Sequence, residues 1–196
     1  MPPITLAGFE ARFARDADPW GTRERRDERI KREAIYRALR AGRRGRVLEV
    51  ASGNGSNSGG LARRSLRLVA IDGAPSACAL TRDVLTRNVL KALRAEVVEM
   101  ALPQVPGGVF DAAVVAEVLY YLRPRDVVAT GRALAGAVRR GGVVVLAHHA
   151  VEFDDVSSSA VRCHDRLVAG LESGGRTVTR EVVARTRAWR VERVGL

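Results

Sequence analysis

The decapeptide Val47-Leu48-Glu49-Val50-Ala51-Ser52-Gly53-Asn54-Gly55-Ser56 sets the reading of this chain. Its apolar run carries an acid, then gives way to small residues, two glycines one apart and a short helical segment. Such a run reads as a buried parallel strand, and the glycines let the backbone turn tightly beneath a ligand. Backbone N–H groups at the start of the following helix would face whatever rests there. Asp72 closes the next apolar run, Leu66 to Ile71. An acid ending a second strand, about 20 residues past a glycine turn, is where nucleotide-type folds hold ribose hydroxyls. The centre of the chain points to a site for an adenosine-containing cofactor.

Outward from that centre, strand and helix alternate. On the N-terminal side, residues 1–8 carry no pattern and are expected to fray, and Phe9 to Arg15 can form a short helix. Asp16-Ala17-Asp18-Pro19-Trp20-Gly21 is a loop carrying a Trp, because Pro and Gly stop the helix. A charged helix is expected over Thr22 to Ala41, with Ile30, Ile35, Tyr36 and Leu39 as its apolar stripe. Its many Arg and Glu residues read as a solvated face; the functional alternative is a lid whose Trp20 and Tyr36 touch ligand.

On the C-terminal side, strands are expected at 45–50, 66–72, 96–100, 111–116 and 143–147. Helices are expected from Pro75 to about Leu93, burying Leu80, Val84, Leu85, Val89 and Leu90, and over 119–122, 126–139 and 161–171. A helix or turn is expected at 61–65, and Gly141-Gly142 reads as a C-cap. Loops are expected at 103–108 and 152–159. The tail from Arg176 to Val194 alternates well enough for an antiparallel hairpin, with Trp189, Val191 and Val194 inward and Arg190 and Glu192 outward. The expected architecture is a doubly wound α/β fold: five parallel strands and a closing hairpin in one seven-stranded sheet, with helices on both faces. One domain is expected over 1–196, with a helical lid at 1–44 and the core at 45–196.

The 196 residues are enough for a sizeable core. Cys78 and Cys163 form no metal or disulfide pattern, and no run reaches membrane-spanning length, so a soluble cytoplasmic protein is expected. The formal charge is +11, and all but two of the 33 basic residues, Lys31 and Lys91, are arginines. Alongside abundant Ala, Gly and Val, that arginine excess reads as coding bias, which weakens nucleic acid as a partner.

The spacing Glu49-x-Ala51-x-Gly53-x-Gly55 resembles the first motif of class I S-adenosylmethionine-dependent methyltransferases, with Ala51 in place of its first Gly. A dinucleotide fingerprint fits less well, since Ser58 stands where the third Gly would be. Asp18-Pro19-Trp20 before a charged helix, together with Ala116-Glu117-Val118-Leu119-Tyr120-Tyr121-Leu122, is similar to the nodulation protein S branch. Leu146-Ala147-His148 and Cys163-His164-Asp165 also resemble that branch. The branch implies a Rossmann-like fold and N-methylation of an amino sugar or similar small amine.

The resemblance implies that Gly53 and Gly55, with Ala51, Ser52 and Asn54, line the amino-acid end of S-adenosylmethionine. It implies that Asp72, followed by Gly73, takes the ribose hydroxyls, and that Met100 and Ala101, or Glu99, lie at the adenine. Glu49 either orients the loop or reaches the cofactor's amino group. An amine must be neutral to attack, so a nearby acceptor is wanted. Glu117, Tyr121 and His148 are the candidates at strand ends, with His164 a further one. Tyr120 and Tyr121 could equally be packing, and His149 a surface residue. The product would be S-adenosylhomocysteine. Acceptors other than an amine are a natural-product hydroxyl or, on the basic helix, nucleic acid. No metal-ligand cluster and no Ser/His/Asp spacing stands out, and the Asp/Asn-Pro-Pro-Tyr/Phe motif of adenine and glutamine methylation is absent.

Overall fold

The computed structural model describes residues 4–40, 42, 44–87, 94–150 and 159–196. Strands β1 (Arg44–Val50), β2 (Ser65–Asp72), β3 (Ala95–Glu99), β4 (Phe110–Ala116), β5 (Val138–His149), β6 (Thr179–Arg185) and β7 (Trp189–Gly195) form one sheet in the order β3-β2-β1-β4-β5-β7-β6. The first five are parallel, and β7 runs antiparallel between β5 and β6. The order reverses between β1 and β4, so the C-terminal ends of these two strands flank a crevice where ligands bind in such sheets.

The parallel strands β1, β2, β4 and β5 are buried on both faces over most of their length, which is why they read as apolar runs rather than alternations, while the edge strand β3 is only half-buried. Along β1, Val47 and Leu48 are both buried but belong to different cores. One core packs Leu48, Val50, Ile71, Val115 and Leu146 against α5 (Pro124–Ala137) and α6 (Ala160–Ser173). The other packs Val47, Leu68, Val114 and Val145 against α2 (Arg26–Ala38), α3 (Ser58–Arg64) and α4 (Pro75–Thr86). Helices α5 and α6 cross closely at Gly131 and Gly170, where an added Cβ would collide with the facing backbone. Pro75 and Pro124 start their helices at positions where a missing N–H costs nothing.

Several expectations change. Helix α1 (Leu6–Arg15) begins before Phe9, because Thr5 caps it by accepting from the Gly8 N–H at 3.2 Å. Helix α2 starts at Arg26 rather than Thr22, since Thr22 and Arg23 are tied into a turn by Asp18. Ile30 faces water, whereas Glu28 and Lys31 are buried. Gly141 and Gly142 do not cap a helix. Helix α5 ends at Ala137, and the chain enters β5 directly at Val138, with both glycines inside the strand.

Glu192 points inward and is fully buried. Strand β7 is internal to the sheet, and α6 covers the face that Glu192 shares with Val194, so simple in–out alternation fails there. In α4, Leu85 is buried while Leu80 and Val84 are half-buried. Val89 and Leu90 lie outside the described residues, as do Ala41 and most of the expected 152–159 loop.

Candidate active site

The β1–α3 turn is built as a cradle. Ala51, Gly53 and Gly55 all adopt left-handed φ, at 55°, 56° and 77°. Only glycine does this freely, so Ala51 holds a strained conformation at the place where the motif has Gly. An added Cβ on Gly53 would meet only Phe13 Cζ, at 3.5 Å, whereas one on Gly55 would press on Thr81 Cα at 3.1 Å. Gly53 thus leaves room for a ligand above the turn, and Gly55 lets α4 close on it from behind. Thr81 Oγ1 adds bonds to Ser52 Oγ at 3.1 Å and the Gly53 carbonyl at 3.0 Å.

Asp72, at the end of β2, grips the turn. Its Oδ2 accepts from the Gly53 N–H at 2.9 Å and its Oδ1 from the Ala74 N–H at 2.9 Å. Burial raises its pKa despite those bonds. Asp72 also lines the cavity, and a carboxylate oxygen can accept more than one hydrogen bond.

That cavity measures about 990 Å³ and lies over the C-terminal ends of the strands. Ala51, Ser52, Gly53 and Asn54 form its floor, with Asp72 and Gly73 beside them. Met100 and Ala101 form one wall, Glu117 and Tyr121 another, and Trp20 hangs from above. Trp20 is held by Phe9 and Phe13, with ring centroids at 5.7 and 5.3 Å, and Phe9 meets Tyr121 edge-on at 4.9 Å. The loop carrying Trp20 is tied to the turn, because Asn54 Nδ2 donates to Asp18 Oδ1 at 2.8 Å. A second tie runs from α1 to α4, where Glu10 accepts from the Ser76 N–H at 2.9 Å.

Four expected residues stand elsewhere, besides Glu99 and His164, which do not line the cavity either. Gly55 is beneath the turn. Tyr36 packs its ring on Gly60 of α3, donates to the Asn57 carbonyl at 3.1 Å, and has its hydroxyl pushed up to about 12 by burial. Glu49 is sealed under the turn, neither carboxylate oxygen having a partner among the described residues, and burial pushes its carboxyl up to about 8. Burial thus favours its neutral form.

His148 is the fourth. It is fully buried and turned away from the cavity. Its Nε2 accepts from the backbone N–H groups of Leu119 at 3.1 Å and Val118 at 3.3 Å. Its protonated nitrogen must then be Nδ1, which donates to His164 Nε2 at 3.0 Å; His164 Nδ1 in turn donates to Glu192 Oε2 at 3.1 Å. Arg180 and Arg190 close the chain on Glu192 at 2.5 and 3.2 Å. Burial lowers the His148 pKa well below the ordinary range. This buried relay holds the 3₁₀ turn Leu119–Tyr121, whose Tyr120 and Tyr121 wall the cavity.

His149, one residue on, faces the cavity because side chains alternate along β5. It sits between two carboxylates, with Nδ1 2.9 Å from Glu117 Oε2 and Nε2 3.2 Å from Glu28 Oε1. Lys31 Nζ bonds Glu28 Oε1 at 2.8 Å and Glu117 Oε1 at 2.5 Å, and lies 3.2 Å from His149 Nδ1. Tyr120 donates its hydroxyl to Glu117 Oε2. Burial would lower the His149 pKa, but the two carboxylates outweigh it and raise it to about 9. Burial would likewise raise Glu117, but the His149 bond and the Lys31 charge hold it far below the carboxylate range. Glu117 itself has φ 55°, a left-handed kink that ends β4 and swings its carboxylate over the cavity. Glu28 and Lys31 gave no sequence signal, since a charged helix normally spends its charges on solvent.

The residues thus fit a nucleoside-bearing ligand: a turn open above Gly53, an acid aimed at the same space, and an apolar wall at Met100. Residues 47–142 match the family model for a methyltransferase domain. No characterised protein sequence matches the chain. Among solved structures, the N-methyltransferase NodS from Bradyrhizobium japonicum in complex with S-adenosyl-L-homocysteine superposes with a TM-score of 0.77 at 21% identity, over 97% of each chain. A DhpI complex with the same ligand gives 0.72 at 21% identity, over 96% of this chain and 93% of that one. An O-methyltransferase family protein from Burkholderia thailandensis gives 0.70 at 18%, over 98% of this chain and 62% of that one. At these identities the likeness is one of fold. The family match runs from β1 into β5, across the glycine turn, Asp72 and Glu117. The chain thus carries a methyltransferase domain over residues 47–142 and has the fold of S-adenosylmethionine-dependent methyltransferases.

Proposed function

We propose that the protein methylates a small-molecule amine, an amino sugar or a compound like it, at the end of the cavity lined by Glu28, Glu117 and His149. The observation that carries this reading is the pair of carboxylates there, Glu28 buried and Glu117 half-buried, each bonded to the two cations Lys31 and His149. A site that solvates cations with carboxylates drawn partly out of water suits an ammonium-bearing acceptor.

S-adenosylmethionine, when bound, would supply an electrophilic methyl carbon to the nitrogen lone pair. Gly53, Ser52 and Asn54 would take its amino-acid end, Asp72 its ribose hydroxyls, and Met100 and Ala101 its adenine. The chain's contribution is alignment and exclusion of water. Trp20, Phe9 and Phe13 would close the top, residues 1–44 acting as a lid on a core of residues 45–196 within one domain. Tyr121 borders the acceptor's path beside Glu117. A hydroxyl acceptor is the second reading, favoured by the fold shared with an O-methyltransferase family protein.

Calorimetric titration with S-adenosylhomocysteine and, separately, NAD tests the cofactor. Micromolar binding of the first alone, lost in Asp72→Ala, is expected; binding of NAD instead would overturn the assignment. A methyl-transfer screen of amino sugars against matched hydroxyl compounds then separates N from O transfer. Turnover confined to the hydroxyl compounds would reverse the order of the two readings.

A further inference from the structure

One face of α2, with the turn leading into it, looks onto the cavity. Thr22, Arg25, Glu28, Lys31 and Ile35 all line it, at the three- and four-residue intervals of a helix face. Their polar groups are spent unequally. Thr22 Oγ1 bonds Asp18 Oδ1 at 2.9 Å and Asn54 Nδ2 at 3.0 Å. Glu28 and Lys31 are bound to each other, and both meet His149. Arg25 differs: its guanidinium makes no hydrogen bond or ion pair among the described residues, Glu28 included.

The fold brings Arg25 to the glycine-turn end of the cavity. Its Nε lies 2.8 Å, and its Cδ 3.3 Å, from where a Cβ on Gly21 would stand, so the missing side chain of Gly21 makes room for the arginine. Gly21 sits between Trp20, which hangs over the cavity, and Thr22, which is tied to Asn54 of the turn. The other arginine there, Arg23, already donates to the Asn54 carbonyl at 3.1 Å and is not a lining residue.

This end of the cavity has no other cation to spare. Ser52, Gly53 and Asn54 are neutral. Asn54 has spent its carboxamide, Nδ2 donating to the Ala17 carbonyl and Asp18 Oδ1, and Oδ1 accepting from the Ser56 N–H at 3.2 Å. Asp18, bound to Asn54, adds a negative charge nearby. Among the other basic lining residues, Lys31 and His149 are held by Glu28 and Glu117. Arg123 belongs to the wall that Tyr121 forms, just before α5. A carboxylate resting on the turn is left to Arg25.

We propose that Arg25 is the carboxylate-binding residue of the cofactor site, its guanidinium taking the α-carboxylate of S-adenosylmethionine. The proposal rests on the placement of the cofactor's amino-acid end at Ser52, Gly53 and Asn54, and is independent of which acceptor is methylated. A planar guanidinium fork matches a carboxylate with two parallel N–H bonds, which a point charge does not. Arg25 lies outside residues 47–142, so the methyltransferase-domain match does not include it. Through it the cofactor is tied to the segment that carries Trp20 as well as to the turn. The same bond selects S-adenosylmethionine over nucleosides that share its adenine and ribose but lack the carboxylate.

Calorimetric titration with S-adenosylmethionine and with its decarboxylated form tests this, since the second keeps the sulfonium and the ammonium and lacks only the carboxylate. Wild type is expected to bind the carboxylate-bearing form about ten- to a hundredfold more tightly, the range of a charge-assisted pair. Arg25→Met is expected to lose that preference through weaker binding of S-adenosylmethionine, with affinity for the decarboxylated form unchanged. Arg25→Lys keeps the charge without the fork and is expected to fall between the two. Equal loss for both forms in Arg25→Met, with the urea midpoint kept, would show that the residue shapes the lid and would overturn the proposal. Wild-type affinity for both forms in that variant would overturn it as well. No saturable binding of S-adenosylmethionine to wild type would overturn the cofactor assignment, and the proposal with it.

Discussion

Adjacent in the chain, His148 and His149 serve opposite sides of β5: His148 Nδ1 meets His164 Nε2 at 3.0 Å inside the protein, while His149 Nδ1 meets Glu117 Oε2 at 2.9 Å at the cavity. One histidine is a buried strut, the other a cavity group. Exchanging either has a different consequence.

For His148, removal of the ring leaves the Val118 and Leu119 N–H groups without their acceptor in a dry setting. Orphaning buried donors costs about 1–3 kcal/mol. His148→Leu is expected to lose about 2–4 kcal/mol in urea unfolding and to weaken methyl transfer by displacing the turn that carries Tyr121. A variant as stable as wild type would show that the relay is not holding that turn.

The strain at Ala51 gives a gain rather than a loss. A left-handed non-glycine residue costs about 1–2 kcal/mol. Ala51→Gly is therefore expected to raise stability by up to about 1 kcal/mol, part of the relief being offset by the freer unfolded chain. Ala51→Val should lose more than 1 kcal/mol by the same urea midpoint measurement. An Ala51→Gly midpoint below wild type would contradict the strain argument.

Glu49 carries the next expectation. Its folded pKa of about 8 lies above the unfolded carboxylate value, so the native state holds a proton that the unfolded state has released. Stability from this group is full below pH 4 and declines as pH rises from about 4 to 8. Glu49→Gln keeps the neutral shape and should flatten that decline, its advantage over wild type growing toward pH 8. Parallel stability curves for the two proteins would mean that Glu49 is ionised in the fold.

Glu192 behaves in the opposite sense. Burial would raise its pKa, but the His164 and Arg180 hydrogen bonds outweigh it and bring the carboxyl to about 2. A depressed folded pKa stabilises above the unfolded value, and the contribution is lost as pH falls from about 4 toward 2. Acid unfolding of Glu192→Gln, followed by circular dichroism, should show a shallower slope across that window.

Trp20 and Tyr36 form a natural pair for testing the lid. Trp20→Ala removes an aromatic wall of the cavity and is expected to weaken S-adenosylhomocysteine binding about tenfold, or roughly 1.4 kcal/mol. Tyr36→Phe loses only the bond to the Asn57 carbonyl, with a stability cost of about 1 kcal/mol and unchanged binding. Equal effects on binding would remove the distinction between the two.

The cofactor half of the site was legible from local pattern because its parts are contiguous. Val47 to Ser56 supplies strand and turn, and Asp72 ends the very next strand, so spacing alone brings them together. That the first five strands run parallel follows from the same alternation, since parallel strands need helical crossovers; their order in the sheet came from the tertiary structure. Misreadings occurred where a long-range neighbour reverses a local rule. Glu192 alternates as a surface residue yet is buried, because α6 supplies His164 above it. Gly141 and Gly142 look like a helix end yet sit in β5, because the strand pairs on past them. Sequence by itself determined the fold, the glycine turn and the acid beside it, all products of residues close in the chain. Only the tertiary structure decided that His149 rather than His148 meets the cavity, and that Glu28 and Lys31 join it across gaps of some hundred residues. Those groups are gathered by the packing of α2 over the ends of β4 and β5, and no local propensity encodes which charges a packed helix will turn inward.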